Sequence, residues 1–195
     1  MGLEIKTGGD KPVSRDPVSI GVHLARLVQV IDLGIQEEEW QGVTKNQHKV
    51  MFTYEIPEET VLVKGEQKPK FISQRLTVST FKKAAMPTVI QALRPGTKLE
   101  SGIKLESLLG SGVQLNVGRT SGGAAKILNV MPLAKGQTVP ITNTELLSFD
   151  LSDPDVEVFK RLPQFLRNII TSGAGSPMGD VVVATKVTTK GPMPF

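Results

Sequence analysis

The chain has 195 residues, of which 39% are hydrophobic, 5% are aromatic and none is cysteine. Its length suits a single domain with attached segments, and the absence of cysteine excludes disulfides, thiolate metal sites and cysteine nucleophiles. The net charge is +4, with 18 basic and 13 acidic residues in positions 1–139, and 5 and 6 in positions 140–195. The basic excess lies where a strand-rich, phosphate-binding surface would need it, although ordinary solubility charge explains it equally well.

The first 17 residues, MGLEIKTGGDKPVSRDP, combine glycine, proline and charge, and they predict a flexible arm. They lack the apolar stretch of a signal peptide, and no run of the chain reaches the length of a membrane-spanning helix. We therefore expect a soluble protein of the cytoplasm with no membrane association.

Three strands are predicted in the first half of the chain. Residues 18–33, VSIGVHLARLVQVIDL, are rich in Val and Ile, although a helix is an alternative because apolar residues also recur at a period near 3.6. Residues 49–56 alternate apolar and polar side chains, and residues 70–79 form the third run. Polar sequences connect the three runs, so we predict loops at residues 34–47 and 57–69.

The third predicted strand presents a face of mixed chemistry. Ile72, Leu76 and Val78 share one parity. The opposite parity, which we predict to face solvent, holds Phe71, Ser73, Arg75 and Thr77. An exposed aromatic ring can stack on a base and a guanidinium can pair with a phosphate, so this face suits single-stranded nucleic acid.

A helix and a hairpin follow these strands. Residues 80–93, TFKKAAMPTVIQAL, predict a helix with Thr80 as its N-cap and a break or kink at Pro87. Residues 112–119 and 124–133 predict two strands joined by the turn sequence TSGG. Five strands with a helix between the third and the fourth are the layout of an OB-fold, a partly open five-stranded barrel.

The C-terminal part is acidic and then helical. Five acidic and no basic residues lie within positions 145–157. Residues 154–170, PDVEVFKRLPQFLRNII, predict a helix whose N-cap is Ser152 or Asp153 and which is broken at Pro163. Its apolar stripe favours docking on the barrel, and a partner-binding helix is the alternative.

These predictions describe a mainly β protein in four segments. A flexible arm spans residues 1–17, and an OB-fold domain spans residues 18–139. An acidic linker with the C-terminal helix spans residues 140–171, and a flexible tail spans residues 172–195.

Catalysis is not predicted. The chain has only two histidines, His23 and His48, and both lie in strand contexts where a structural role is expected. The carboxylates of residues 37–39 and 58–59 form runs typical of a solvated face, and no acidic or histidine group has metal-ligand spacing. We therefore predict no enzyme activity, no cofactor and no metal site.

Five segments follow one another along the chain: ARLVQVIDLGIQEEEWQGVTKNQHKVMFTYEIPEE, ISQRLTVS, LESLLGSGVQLNV, ILNVMPLAKG and RLPQFLRNII. Together they resemble a family of phage single-stranded DNA-binding proteins with an OB-fold, over roughly residues 20–170. The resemblance implies a protein that coats and protects single-stranded DNA during phage DNA replication or recombination, in the cytoplasm of the host cell. It carries over the binding face and no individual residue roles.

The resemblance also bears on protein partners. Many single-strand binders recruit enzymes through an acidic tail that ends in Pro-Phe. This chain ends with Pro194 and Phe195, but no acidic run precedes them. Recruitment of replication or recombination proteins through residues 145–170 or through the tail stays open.

The candidate DNA-binding residues surround the predicted face. Candidates for base stacking are Phe71, Trp40 and Tyr54. Tyr54 shares the parity of Val50 and Phe52, which favours a core position with its hydroxyl at the rim. Candidates for phosphate contacts are Arg75, Lys70, Lys49, Lys45, Arg119 and Lys126. Neither kind of contact reads sequence, so we expect little sequence preference and an affinity that falls with salt.

Two other functions stay open. An OB-fold adaptor of a replication complex would dock partners with its C-terminal helix, and it predicts an exposed apolar stripe at residues 159–169. An RNA-binding OB module would use the same stacking and phosphate contacts, and it would differ in its contacts to the 2′-hydroxyl position.

Overall fold

A computed structural model of the chain describes residues 16–99 and 102–179. Within these ranges no helix combines the length and the apolar character that crossing a membrane requires. The predicted flexible arm up to residue 15 lies outside the described residues, as do the tail from residue 180 onward and its terminal Pro194 and Phe195.

The described ranges contain six strands and three α-helices. In chain order they are β1 (Gly21–Trp40), β2 (Val43–Val63), β3 (Glu66–Thr77), α1 (Ala85–Leu93), β4 (Gly112–Arg119), β5 (Ala125–Pro132), β6 (Leu147–Phe149), α2 (Val156–Arg161) and α3 (Gln164–Ser172). A 3₁₀ helix, Leu105–Leu108, precedes β4. The prediction of a mainly β protein is confirmed, and residues 21–40 are a strand and not the alternative helix.

All six strands belong to one sheet. Five of them follow the order β3-β2-β1-β4-β5 with antiparallel neighbours, and β6 pairs in parallel with β1. One edge of β1 has two successive partners, because residues 21–26 pair with β4 and residues 29–31 pair with β6. The outer strands β3 and β5 approach each other, which is consistent with a barrel-like form.

The first two hairpins are longer than the sequence predicts. Gln41 and Gly42 join β1 to β2, Lys64 and Gly65 join β2 to β3, and their φ angles are 51°, 76°, 52° and 85°. Positive φ at both central positions defines a type I′ turn, whose twist matches that of the flanking strands. The two predicted polar loops are strand over most of their length, so that prediction is wrong. Polar residues on both faces suit a solvated hairpin arm as well as a loop.

Bulges change the facing of residues along β1. The register shifts after Leu27 and again after Asp32. Leu27 and Val30 consequently belong to one hydrophobic core, while Ile31 and Leu33 belong to a second core. Because the bulges change which core each side chain meets, a strand can bury apolar residues spaced near 3.6, a spacing that also fits a helix.

The first core is enclosed by β1 to β5 and α1. Its β2 contribution is the predicted apolar parity of Val50, Phe52, Tyr54 and Ile56, and all four side chains are buried. Residues of α1 and the buried Leu108 complete this core.

The start of α1 differs from the prediction. The helix begins at Ala85, with Ala84 in place of Thr80 as its N-cap. Pro87 is the third helical residue, and the first-turn N–H groups of a helix have no partner within the helix. Pro87 therefore neither breaks nor kinks α1, and the predicted break is wrong.

The second core joins the C-terminal segment to the sheet. Its buried members are Ile31, Leu33, Met51, Phe149, Phe159, Leu162, Leu166, Ile170 and Met178. Side chains from β1 and β2 thus pack against side chains from β6, α2 and α3. The interpretation that the C-terminal helix docks on the rest of the fold is confirmed, and the predicted break at Pro163 separates α2 from α3.

The N-cap of α2 is Asp155, and the predicted caps Ser152 and Asp153 are wrong. The Asp155 carboxylate accepts hydrogen bonds from the backbone N–H groups of Glu157 at 2.8 Å and Val158 at 3.2 Å. Such bonds satisfy donors that have no partner within the helix. Pro154 therefore precedes the helix and does not start it.

Candidate nucleic-acid interface

The outward face of β3 carries three polar or aromatic side chains in alternation. Phe71 is 47% exposed, and Ser73 and Arg75 are also exposed. Ile72, which lies between Phe71 and Ser73, and Leu76, which follows Arg75, are buried. The predicted parity is therefore confirmed for residues 71–76. Beyond them it is wrong, because Val78, expected to be buried, is 40% exposed, and Thr77, expected to face solvent, is half-buried and accepts a hydrogen bond from Lys49. Because β3 ends at Thr77, this face consists of three alternate side chains, Phe71, Ser73 and Arg75, on one side of the sheet.

The neighbouring face of β2 is not free. Phe71, Ser73 and Arg75 stand opposite Glu55, Thr53 and Met51 in the register. All three β2 side chains are buried, with Glu55 fully so. The exposed surface is therefore one strand wide, which sequence parity alone does not reveal.

Glu55 is covered by the segment that precedes β6. Its carboxylate accepts a hydrogen bond from Arg26 Nη2 at 3.1 Å and from Thr142 Oγ1 at 2.7 Å. The hydroxyl of Thr144 donates to the same carboxylate. Thr142 Oγ1 also accepts from Arg26 Nη2 at 2.9 Å. This network fixes residues 142–144 beside the exposed face, and no pattern in the sequence indicates it.

Arg75 is the cation best placed on the exposed face. Within the described ranges its guanidinium makes no hydrogen bond and no ion pair. Ser73 Oγ beside it shares a 2.9 Å hydrogen bond with Thr53 Oγ1. The guanidinium can therefore pair with an incoming phosphate without first breaking an internal contact.

Two predicted lysines are exposed on hairpins that flank the sheet. Lys45 lies on β2 near the type I′ turn, opposite Glu38 in the register, and Lys126 lies on β5 opposite Gly118. Neither ammonium group forms an ion pair within residues 16–99 and 102–179. Both can contribute to a phosphate contact at the periphery.

Two predicted contact residues are withdrawn from solvent, and these predictions need correction. Tyr54 is fully buried, its hydroxyl accepts a 2.8 Å hydrogen bond from Gln74 Nε2, and burial raises the pKa of the phenol well above its usual value. Lys49 is also buried, with Nζ 2.8 Å from Glu38 Oε2 and 2.9 Å from Thr77 Oγ1. Tyr54 cannot stack on a base and Lys49 has no free charge for a phosphate.

Lys70 and Arg119 are engaged with the start of the described chain. Lys70 Nζ lies 3.1 Å from Glu59 Oε2 and 3.4 Å from the carbonyl oxygen of Pro17. Arg119 Nη1 donates to the carbonyl oxygen of Val18 at 2.6 Å. These two cations therefore differ from Arg75, because an internal acceptor already occupies each of them.

Glu59 is the acidic group of that cluster. Partial burial raises the pKa of its carboxyl. Hydrogen bonds from Ser19 and from Lys70, together with the charge of Lys70, lower the pKa by more than burial raises it, so the net pKa lies below its usual value. Glu59 is therefore ionised at neutral pH and neutralises Lys70.

Trp40 is the last residue of β1 and stands opposite Val43. Its side chain lies outside what the structure describes. The stacking role of Trp40 stays a prediction.

A separate cleft of about 780 Å³ lies among β1, β2, the 3₁₀ helix and residues 148–158. His48 Nε2 is 2.6 Å from Asp32 Oδ1 at its wall. Hydrogen bonds from Ser152 lower the pKa of Asp150, which shares this wall. In the part of the chain that is described, no three His, Asp or Glu side chains are grouped to hold a metal ion.

No protein-family model matches this chain, and no curated protein matches its sequence.

Proposed function

We propose that this protein is a non-enzymatic single-stranded DNA-binding protein that coats and protects single strands during phage DNA replication or recombination. The observation that carries the proposal is the exposed alternation of Phe71, Ser73 and Arg75 on β3, with a guanidinium that has no acidic partner in the described ranges. The resemblance of residues 20–170 to phage single-strand binders supports the same function.

The strand arrangement supports an OB-fold as the scaffold. The order β3-β2-β1-β4-β5, with α1 between β3 and β4, fits a partly open five-stranded barrel. Ligands of such barrels bind on the second and third strands. Here the C-terminal segment covers the second strand, so the proposed interface is the third strand and its flanks.

The proposed mechanism combines two contacts. A base stacks on Phe71, which contributes about 1–3 kcal/mol per base. A phosphate pairs with Arg75, and each such contact adds about −0.7 to the slope of log K against log salt for single strands. Lys45 and Lys126 add long-range attraction at the periphery. None of these groups reads a base edge, so binding is largely independent of sequence.

The adaptor alternative requires an exposed apolar stripe at residues 159–169. Phe159, Leu162 and Leu166 of that stripe are buried against the sheet, which argues against it, while Phe165 is 57% exposed. RNA binding would use the same ring and guanidinium, so an RNA oligonucleotide belongs in the test as a competitor.

The experiment is a titration of fluorescent oligo-dT with the protein at two salt concentrations, beside duplex DNA and oligo-U. Phe71→Ala and Arg75→Gln are the test variants. Phe165→Ala, which removes an exposed ring from α3, and Lys83→Gln, which removes an exposed charge, are their matched controls. We expect Phe71→Ala to weaken binding about 5- to 150-fold, from the loss of one stacked base. Arg75→Gln should also flatten the salt slope by about 0.7.

The control variants should bind like the wild type, and duplex DNA should bind poorly. A wild-type protein that ignores oligo-dT even at low salt would refute the proposed function. Equal losses in Arg75→Gln and Lys83→Gln would show binding through general charge, and equal losses in Phe71→Ala and Phe165→Ala would show that the ring on the β3 face has no special role. Tighter binding of oligo-U would identify RNA as the ligand.

A further inference from the structure

Residues 16–20, here called the strap, lie across one end of the barrel-like sheet with three successive carbonyl oxygens bound by basic side chains. Lys70 Nζ lies 3.4 Å from the oxygen of Pro17, and Arg119 Nη1 lies 2.6 Å from that of Val18. His23 Nε2 lies 2.9 Å from the oxygen of Ser19. The three basic residues come from β3, β4 and β1, so the sheet and not one loop arranges them.

Glu59 anchors the strap from β2. Its carboxylate accepts from Ser19 N at 3.1 and 3.2 Å and from the Ser19 hydroxyl. Lys70 Nζ and His23 Nδ1 lie 3.1 Å and 3.4 Å from the same carboxylate. Both ring nitrogens of His23 therefore face oxygen atoms, one of Ser19 and one of Glu59.

The strap contributes little else to the packing. Val18 is its one buried side chain, and the other four residues are exposed. The side chains of Lys70 and His23 beneath it are only 15% and 11% exposed. The strap thus contacts these basic side chains through its backbone oxygens.

We propose that Lys70, Arg119 and His23 form a second contact site for the phosphodiester backbone of single-stranded DNA, and that the strap occupies this site in the unbound protein. Both a peptide segment and a nucleic acid strand offer oxygen acceptors in regular succession. Phosphate oxygens carry the greater charge and bind Lys and Arg more strongly than carbonyl oxygens do. The inference rests on the proposed function and deepens it.

The position of Lys70 links this site to the β3 face. Lys70 and Phe71 are consecutive residues of an outer strand, and Lys70 shares the inward parity of Ile72 while Phe71 faces outward. A single strand that passes over this edge reaches the ring of Phe71 on one side and the ammonium group of Lys70 on the other. DNA and the strap then exclude each other at the second site.

Glu59→Gln tests the proposal, with Glu58→Gln as its control. Both substitutions remove one negative charge from the same stretch, but Glu58 is exposed and forms no ion pair within the described ranges. We expect Glu59→Gln to loosen the strap, to tighten oligo-dT binding beyond Glu58→Gln, and to steepen the salt slope by about 0.7 for each additional phosphate that the protein binds. Adding Arg119→Gln to Glu59→Gln should abolish this increase in affinity.

Ser19→Ala gives a second, charge-neutral test, because it deletes a hydroxyl that donates to Glu59 and leaves every charge in place. Thermal unfolding first establishes that each variant is folded, and Ser19→Ala decides the question if Glu59→Gln is not. We expect Ser19→Ala to change binding in the same direction as Glu59→Gln and by less.

The failures of the two proposals are distinguishable. If the wild type binds oligo-dT and Phe71→Ala weakens it, but Glu59→Gln equals Glu58→Gln and Ser19→Ala equals the wild type, the strap is purely structural and this inference is wrong. If the wild type does not bind oligo-dT at all, the proposed function itself is wrong.

Discussion

Glu55 and Arg26 are cross-strand neighbours whose side chains carry opposite charges in a buried position. The Arg26 guanidinium has its Nε without a partner among the described residues, so it depends on contacts through Nη2 to Glu55 and Thr142. Removing one partner of a buried pair leaves an uncompensated charge, which costs far more than the pair itself contributes.

Glu55→Ala is therefore expected to lower the free energy of unfolding by about 3–5 kcal/mol. Glu58→Ala, an exposed glutamate three residues further along β2, should change it by less than about 0.5 kcal/mol. Urea unfolding followed by circular dichroism measures both. Similar small losses in the two variants would mean that water or other groups solvate Arg26.

Parity predicts which way a strand residue faces but not what covers it. The facing of Phe71, Ser73 and Arg75 is predictable because apolar residues alternate with them. The burial of Lys49 is not, because its partners Glu38 and Thr77 come from two other strands that sequence spacing does not align with it.

At the scale of elements, the β2–β3 hairpin depends on Gly65, which has a φ of 85° and open space where a Cβ would lie. An L-residue with this backbone conformation costs about 1–2 kcal/mol. Gly65→Ala should lower the free energy of unfolding by that amount. Gly122→Ala is the control. A Cβ added at Gly122 would lie 3.9 Å from its nearest neighbour, Thr120 Oγ1, and the φ of Gly122 is not positive. The free energy of unfolding should therefore change by about 0.5 kcal/mol or less.

The same unfolding assay compares the two glycine variants. Equal changes in the free energy of unfolding would show that the hairpin tip frays, so that an unfavourable backbone conformation at Gly65 does not lower the stability of the protein. The tip sequences Gln41-Gly42 and Lys64-Gly65 place glycine where a two-residue turn needs it. Neither dipeptide is one of the Asn-Gly, Asp-Gly or Gly-Gly pairs that identify such a turn in a sequence, so both segments are predicted as loops. The length of the arms is fixed by backbone pairing, which a polar sequence neither favours nor forbids.

At the scale of the whole molecule, the second core holds the C-terminal segment on the sheet. Phe159 is buried there, with its ring centroid 5.7 Å from that of Phe149. Phe159→Ala should lower the free energy of unfolding by about 3–5 kcal/mol. Phe165→Ala, six residues along on α3 and 57% exposed, should change it by less than about 0.5 kcal/mol.

A two-state urea transition that shifts as a unit in Phe159→Ala would show that α2 and the sheet unfold together. A new early transition would show that the helices detach first. The apolar stripe predicts that the helix docks, but it does not predict where. The docking place depends on β1, whose bulges turn Ile31 and Leu33 away from the first core.

β1 is bound by β2 on one side and by β4 and then β6 on the other. Among the described strands, a ribosome delivers β1 first and β6 last. The edge at residues 29–31 thus stays without its partner until residues 147–149 have been made. An unpaired edge is where a strand of another chain can add. The nascent protein is consequently most exposed to wrong association before β6 is made, and the first of the described strands is the last to be fully paired.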